Sequence, residues 1–305
     1  MQTMDHRKGY FHAVIAAASL SGYVIVNRYA YSHADVNAGI YVAFFLISAG
    51  VFAFIDSMFS SSFRSNLRLF IEAKSYRTTK CNPILFGTLT AMAFGLFAFA
   101  QQKTTATNAS IIFAANMVPT AIFSWLILKR GMSRLQGVSM AVTLVGLYLA
   151  VVGFAPLSLH VGDVLLMGAA IMTGYTNAYM KTLMHNFSAR DVGCVRLMTG
   201  AILFSIYLIA VHDLHGIEMQ TFIFSVIGGF FFFATVYGIA SAVEKIHATE
   251  AVTIAQLHIL TTPVIALFLL DEKYRMTTLL GSIVMLLGVV SFSRLGHKRS
   301  VSIEQ

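Results

Sequence analysis

Apolar residues along this chain come in blocks of about 20, the length that an α-helix needs to cross a hydrocarbon layer roughly 30 Å thick. Short charged or turn-rich segments separate the blocks, and the pattern predicts ten helices. The sequence therefore predicts an all-α integral membrane protein with ten transmembrane helices. The predicted ranges are 10–30, 37–58, 83–102, 107–128, 135–154, 162–182, 192–211, 220–243, 248–270 and 277–294.

Composition agrees with a membrane protein and argues against several other classes. Of 305 residues, 57% are hydrophobic and only 11% are charged, whereas soluble domains average about 25% charged residues. The net charge of +8 is divided among short segments between the apolar blocks, so we predict no nucleic-acid partner. Cys81 and Cys194 have no C-x-x-C spacing, and we predict neither a metal site nor a cofactor.

The distribution of lysine and arginine predicts how the helices cross the membrane. If the N-terminus is cytoplasmic, most cations fall in the segments on that side, and only Arg28, Lys103, Lys273 and Arg275 fall on the other. This asymmetry follows the positive-inside rule. With ten helices, both termini are then expected in the cytoplasm. The first apolar block is long enough to span, so we interpret it as a retained helix rather than a cleaved signal peptide.

The second half of the chain repeats the first. The segments AQQKTTATNA and AVEKIHATEA share the pattern A-x-x-K-x-x-A-T-x-A, and a proline follows each of them, Pro119 and Pro263. Each half contains five predicted helices. Because five is odd, the second half must enter the membrane from the opposite side, which produces the inverted repeats of many secondary transporters. The predicted repeats cover 9–154 and 161–295.

Several segments of both halves carry a resemblance to a known family. They are KTTATNASIIFAANMVP, LILKRGMSRLQGVSMAVTLVGLYLAVVG, GDVLLMGAAIMTGY and HATEAVTIAQLHILTTPVIALFLLDEKY. Through them the chain resembles the drug/metabolite transporter superfamily, and within it the ten-helix group built from two EamA-type repeats. The resemblance implies a central cavity surrounded by helices of both halves. The family's acidic residue after the ninth helix is Glu272, whereas Lys129 and Arg130 occupy the equivalent place in the first half.

The resemblance implies a secondary active transporter of a small polar or amphipathic metabolite, working by alternating access between two membrane faces. We expect an amino acid or related compound, exported across a bacterial inner membrane. The alternative is a nucleotide-sugar or phosphorylated-sugar exchanger of a eukaryotic organelle, which would need several cations in its cavity. An intramembrane enzyme is a less favoured class because no nucleophile and base pair is visible. No Walker A pattern is present, so we predict that the chain does not hydrolyse ATP. For the oligomeric state, the sequence leaves both a monomer and a homodimer open.

Polar residues inside the predicted helices are the candidates for the transport path, because such residues are costly in lipid. Two helices carry a polar stripe about 80° wide. On the ninth helix it consists of His247, Glu250, His258 and Thr261, and on the first helix of His12, Ser19, Tyr23 and Asn27. Hydrogen bonding to a neighbouring helix is the alternative role for each. The cavity candidates are Ser19, Tyr23, Asn27, Gln101, Asn116, Thr120, Tyr175, Tyr237, Ser241, His258 and Thr261.

The ninth helix also suggests how transport is driven. His247, Glu250 and His258 are hypothesised to exchange a proton, because histidine titrates near neutral pH. A counter-substrate is the other possible driving partner. Pro119 and Pro263 lie inside the fourth and ninth helices, where each removes a backbone donor and predicts a helix break.

Three cations lie at or just inside predicted helix ends: Arg28, Lys181 and Arg196. Long basic side chains can extend to the membrane interface while their stems remain in lipid, and this is the expected role of all three. Pairing with an anionic group of the substrate is the alternative. The lipid bilayer and a small molecule are thus the predicted partners of the chain.

Overall fold

The protein is described by a computed structural model that contains helices and no strand within the residues it describes. Nine of the described helices are long and apolar enough to cross a membrane. The tenth, Val161–Leu183, is comparably long and packs along Pro83–Gln101, but it carries more polar residues. The described residues are 2–34, 36–59, 83–128, 133–153, 160–183, 187–211, 218–246, 248–273 and 275–304.

All ten predicted helices are present, and two of them are divided into shorter segments, named a and b. The predicted ranges overlap all ten helices, but the first helix begins eight residues earlier and the last ends ten residues later than predicted. The all-α fold class is confirmed. The helices are α1 (Gln2–His33), α2 (Ala38–Met58), α3 (Pro83–Gln101), α4a (Ala106–Ala114), α4b (Met117–Leu128), α5 (Arg134–Val151), α6 (Val161–Leu183), α7 (Ala189–Val211), α8 (Met219–Lys245), α9a (Ala248–Ala255), α9b (His258–Leu269) and α10 (Met276–Glu304).

Side-chain caps fix where several helices begin. The side chain of Asn37 accepts hydrogen bonds from two backbone N–H groups at the start of α2. Ser133 and Gln136 form a capping box at the start of α5, and Thr105 caps α4a by accepting from Asn108 N. Each cap satisfies backbone donors that the helix itself leaves unpaired, which matters most near the apolar layer.

The fourth and ninth helices, each predicted as one span with a break at its proline, are interrupted before Pro119 and Pro263. The fourth breaks at Ala115 and Asn116, and the ninth breaks at Gln256 and Leu257. The first break lies in the turn before Pro119, whose ring opposes a regular helix there. The second lies six to seven residues before Pro263, which is itself inside α9b. The Ala115 carbonyl, which Pro119 cannot bond, instead accepts from Val118 N at 2.9 Å.

Helices of the two halves are interleaved in two bundles. Bundle A consists of α1, α2, α8 and α9, and bundle B consists of α3, α4, α6 and α7, so each bundle takes two helices from each half. The main contact of α1 is with α8, and the equivalent helix α6 packs on α3 in the same way. This correspondence between exchanged helices is what two inverted repeats require.

The last helix of each half forms a separate pair, α5 with α10. Glycines allow the two backbones to touch: a Cβ atom on Gly146 would lie 2.3 Å from Met285 N, and one on Gly281 would lie 2.3 Å from Ala150 N. Thr278 Oγ1 also donates to the Ala150 carbonyl at 3.0 Å. Small residues at a helix crossing are the usual way to pack helices in lipid.

Candidate functional site

The interface between bundles A and B contains three layers of residues. At one end, where α1 and α3 finish and α4a begins, lies a group of hydrogen-bonded polar side chains that we call the latch. In the middle lies a group of aromatic rings, the plug. Beside the plug the interruptions of α4 and α9 face each other, and we call this the break pair. Each layer joins residues from both bundles.

Glu272 is the centre of the latch. Its carboxylate accepts hydrogen bonds from Ala106 N at 2.7 Å, from Thr107 N at 3.1 Å and from Thr107 Oγ1 at 3.0 Å. It also lies 3.7 Å from Arg28 Nε. An anion at a helix N-terminus is stabilised by unpaired N–H groups and by the helix dipole. One side chain of bundle A thus holds the start of α4a in bundle B.

The rest of the latch is a chain of buried amides and a hydroxyl. Asn27 Nδ2 donates to Gln101 Oε1 at 2.9 Å, and Gln101 Nε2 donates to the Val24 carbonyl at 2.9 Å. Tyr41 Oη donates to Asn27 Oδ1 at 2.6 Å, and Arg28 Nη1 donates to the Gln101 carbonyl at 3.0 Å. Asn27 and Gln101, predicted as cavity candidates, therefore bond each other across the interface in this structure.

The plug is centred on Tyr23, which is fully buried. Its ring packs against Phe45 and Phe232 from bundle A, at centroid distances of 5.2 Å and 5.7 Å, and against Phe94 and Phe97 from bundle B, at 6.1 Å and 5.5 Å. Aromatic rings bury large apolar areas and interlock at these distances. The plug and the latch together close the interface at the latch end.

The break pair brings the two interrupted helices into contact. Gln256 Nε2 donates to Asn116 Oδ1 at 3.5 Å, and both side chains are buried. His258 Nδ1 lies 3.0 Å from the Ala255 carbonyl, which places its proton on Nδ1 and leaves Nε2 as an acceptor. Gln256 Oε1 and His258 Nε2 are buried and have no hydrogen-bond partner among the described residues.

Other polar candidates connect neighbouring helices or fold back on their own. Ser21 Oγ lies 2.6 Å from Thr261 Oγ1 and accepts from Thr262 Oγ1 at 3.1 Å, which joins α1 to α9b. Thr120 Oγ1 donates to the carbonyl of Asn116 at 2.7 Å. The interhelical contact that was the alternative for Thr261 is thus present in this structure.

The remaining candidates lie on α1, α6 and α8. Ser19 is buried. Tyr175 packs against Phe123 at a centroid distance of 5.3 Å, and Tyr237 packs against Phe233 at 4.5 Å. The Tyr237 hydroxyl is buried and lies beside the Cys194 thiol. Ser241 is half-buried one turn further along α8.

The predicted polar stripe on the ninth helix needs a correction. The 80° estimate assumed an uninterrupted helix, but the break at Gln256 and Leu257 separates His258 and Thr261 from α9a. His247 and the side chain of Glu250 lie outside the described residues. Of the three residues hypothesised to exchange a proton, the structure therefore describes the surroundings of His258 alone.

The prediction that three cations extend to the interface is wrong for Arg196. Its side chain is buried, with 5% of the residue exposed, and the guanidinium carbon lies 5.6 Å from the Phe86 ring centroid and 5.8 Å from that of Phe94. Arg28 is partly buried in the latch. The Lys181 side chain lies outside the described residues.

An ion pair joins the bundles at the opposite end of the interface. Arg190 Nε and Nη2 donate to the two carboxylate oxygens of Asp56 at 2.7 Å and 2.6 Å. Bidentate pairing of this kind fixes geometry as well as energy. Nearby, Cys194 Sγ donates to the Ala53 carbonyl at 3.8 Å, so α2 and α7 meet through charged and buried contacts.

Reasoning from sequence missed several residues of these layers. Gln256 belongs to the break pair and lies within two turns of Pro263, so the proline was a signal for it. Tyr41 carries no comparable signal, because a tyrosine in an apolar helix is usually a packing residue. The contact between Glu272 and α4a joins distant segments, and no local pattern predicts it.

Comparison with known proteins agrees with this architecture. The sequence profile of the EamA-like transporter family matches residues 7–152 and 160–294. The chain belongs to the EamA-like transporter family. The two matched segments correspond to two five-helix repeats of this EamA-like transporter, so the predicted resemblance and the repeat architecture are confirmed. No curated protein matches its sequence.

A solved structure also shares the fold of this EamA-like transporter. The crystal structure of another protein superposes with a TM-score of 0.63 at 11% sequence identity, covering 98% of this chain and 99% of that one. At such low identity the likeness shows the fold alone. Family membership and the apolar helices together define an integral membrane transporter of the drug/metabolite type. The protein resides in a lipid bilayer, and its substrate is a small molecule.

Proposed function

We propose that this EamA-like transporter is a secondary active transporter that moves a small polar or amphipathic metabolite by alternating access. The substrate is an amino acid or a related compound, and the direction is export across a bacterial inner membrane. The observation that carries the proposal is the break pair, where buried acceptors without a partner lie between the bundles. Buried polar groups usually have hydrogen-bond partners, and a substrate with N–H or O–H donors would supply them at Gln256 Oε1 and His258 Nε2.

Alternating access requires an interface that closes at one end while the other opens. In this proposal the latch is the gate of the outer face. The predicted charge asymmetry supports that orientation, because Arg28, Lys103, Lys273 and Arg275 all lie at or near the latch end, which therefore carries few of the chain's cations. Both termini would then be cytoplasmic. Opening the outer face would separate Glu272 from α4a and Asn27 from Gln101.

A reversible cross-link between the bundles tests the gating step. Thr107 Oγ1 of bundle B lies 3.0 Å from the Glu272 carboxylate of bundle A. In a Cys81→Ser background, we expect a short thiol-cleavable reagent to join the Thr107→Cys and Glu272→Cys side chains and to stop transport. Reduction of the cross-link should restore transport to the level of the same double variant before cross-linking. Full transport by the cross-linked protein would contradict alternating access through this end.

The substrate class is tested by counterflow in proteoliposomes. The panel should contain amino acids, nucleotide sugars, phosphorylated sugars and cationic drugs, each with and without a pH gradient. We expect an amino acid or related compound to exchange, with slower exchange in the Gln256→Leu variant. Exchange of a nucleotide sugar instead would favour the organellar exchanger, and turnover of a lipid without any exchange would refute transport.

A further inference from the structure

Arg196 is a cation held deep inside the protein. It lies two turns into α7, within the membrane-spanning segment Ala189–Ala210, and 5% of the residue is exposed. Its Nε donates to Thr90 Oγ1 on α3 at 3.1 Å. The guanidinium also lies over the rings of Phe86 and Phe94. Its stem therefore runs from α7 towards α3 within bundle B.

The charge of Arg196 is not neutralised within the described residues. Those residues contain three ion pairs, Arg28 with Glu272, His160 with Asp163, and Arg190 with Asp56, and none includes Arg196. A guanidinium has five N–H donors. Within the described residues, the Arg196 guanidinium makes one hydrogen bond, from Nε to Thr90 Oγ1. Buried cations are normally paired because loss of hydration is costly, and one hydroxyl with two rings does not supply an opposite charge.

The surroundings of Arg196 reach the interface between the bundles. Phe94, which the guanidinium faces, also packs against Tyr23 and Phe232 in the plug. One turn before Arg196, a Cβ atom on Gly193 would lie 3.4 Å from Cε2 of Tyr237 on α8 in bundle A. An anion entering beside the plug would therefore meet Arg196 and aromatic surface together.

We propose that Arg196 binds a carboxylate group of the transported substrate, and that the substrate is a small carboxylate with an apolar portion. The inference rests on the proposed transport function and specifies its substrate class. A planar guanidinium can donate two parallel hydrogen bonds to a carboxylate, and the plug rings offer apolar contact to the rest of the molecule. The closed interface must open for this contact to form.

Stability without substrate distinguishes a binding role from a structural one. We expect the purified Arg196→Met variant to melt about 2–4 °C above the wild type, because an uncompensated buried cation has been removed. The exposed Arg134→Gln variant is the control and should melt with the wild type. If Arg196 were a structural residue, Arg196→Met would melt at a lower temperature, and that result would overturn the proposal.

Selectivity in proteoliposomes tests the carboxylate directly. The probes are radiolabelled L-phenylalanine, phenylacetate, L-phenylalaninamide and glucose 6-phosphate. We expect the wild type to exchange a carboxylate and to discriminate against the amide. Arg196→Gln should weaken the apparent affinity for the carboxylate about 100-fold and remove the discrimination, since a charge-assisted bidentate contact is lost. Arg196→Lys should be intermediate, and Arg134→Gln should be unchanged.

Each other outcome has a defined meaning. Equal exchange of amide and acid by the wild type, or unchanged carboxylate affinity in Arg196→Gln, overturns the carboxylate site and leaves the transport function standing. Exchange of glucose 6-phosphate alone overturns the carboxylate class in favour of a phosphate. If the wild type exchanges none of the probes, the proposed metabolite transport fails for this class, and the melting temperature of Arg196→Met then decides the role of Arg196.

Discussion

Replacing Glu272 by glutamine should open the latch end. The carboxylate accepts three hydrogen bonds from the start of α4a and lies 3.7 Å from Arg28 Nε. The amide of glutamine keeps one oxygen acceptor, but its NH₂ group then faces N–H donors of α4a. Because a hydrogen bond to a charged group contributes about 1.5–3 kcal/mol and a partly exposed ion pair about 1 kcal/mol, we expect a loss of about 3 kcal/mol.

A loss of about 3 kcal/mol shifts the ratio of open to closed protein about 100-fold. A population that is about 1% open would therefore become about half open. Spin labels at exposed His33 on α1 and exposed Lys103 after α3 report this change, because they lie on different bundles at the latch end. Double electron–electron resonance on Glu272→Gln should show a second, longer distance in the lipid-reconstituted protein.

The matched control is Lys273→Gln, which removes a charge from the next residue. Lys273 is exposed and makes no hydrogen bond or ion pair within the described part of the chain. The distance distribution between the two labels in Lys273→Gln should therefore equal that of the wild type. If Glu272→Gln also keeps the wild-type distribution, the carboxylate does not hold the bundles together. The latch would then be a consequence of closure rather than its cause.

Three further predictions follow from other parts of the molecule. Gly146→Ala should destabilise the α5–α10 pair by about 1–3 kcal/mol through overpacking and lower the melting temperature, whereas Gly137→Ala, with nothing within 4 Å of the new Cβ, should not. Asn27→Ala removes an acceptor of Tyr41 and a donor to Gln101 and should lengthen the same spin-label distance; an unchanged distance would argue against its role in the latch. If transport is proton-coupled through the ninth helix, the pH profile of exchange should flatten in His258→Ala and Glu250→Gln, and identical profiles would refute this coupling.

Sequence periodicity was sufficient for the fold because lipid imposes a simple rule on it. Each span must be apolar for about 20 residues, so the ten helices and their inversion could be predicted from blocks of residues and from two similar segments. The predicted bounds of α2, 37–58, differ little from the observed Ala38–Met58. The interruptions of α4 and α9 were harder to locate from the sequence, because a proline predicts a break near its position but does not show which residues lose helical geometry.

The functional residues were harder to predict because their roles depend on contacts between distant segments. Asn27 and Gln101 were identifiable as polar residues in apolar helices, yet their hydrogen bond depends on how α1 crosses α3. Arg196 was misinterpreted for the same reason. Its position near a helix end suggested an interfacial cation, whereas the packing of α3 against α7 surrounds it with Thr90, Phe86 and Phe94.

The interleaving of the two halves has a consequence for biogenesis. The principal partner of α1 is α8, and α1 ends at His33 whereas α8 begins at Met219. At 5–20 residues per second, a ribosome needs roughly 10 to 40 seconds to synthesise the intervening chain. During this interval the face of α1 that packs on α8 has no final neighbour, and Arg28 lacks its ion-pair partner Glu272. The first half of the protein therefore needs a temporary partner, such as the insertion machinery, until the second half has been translated.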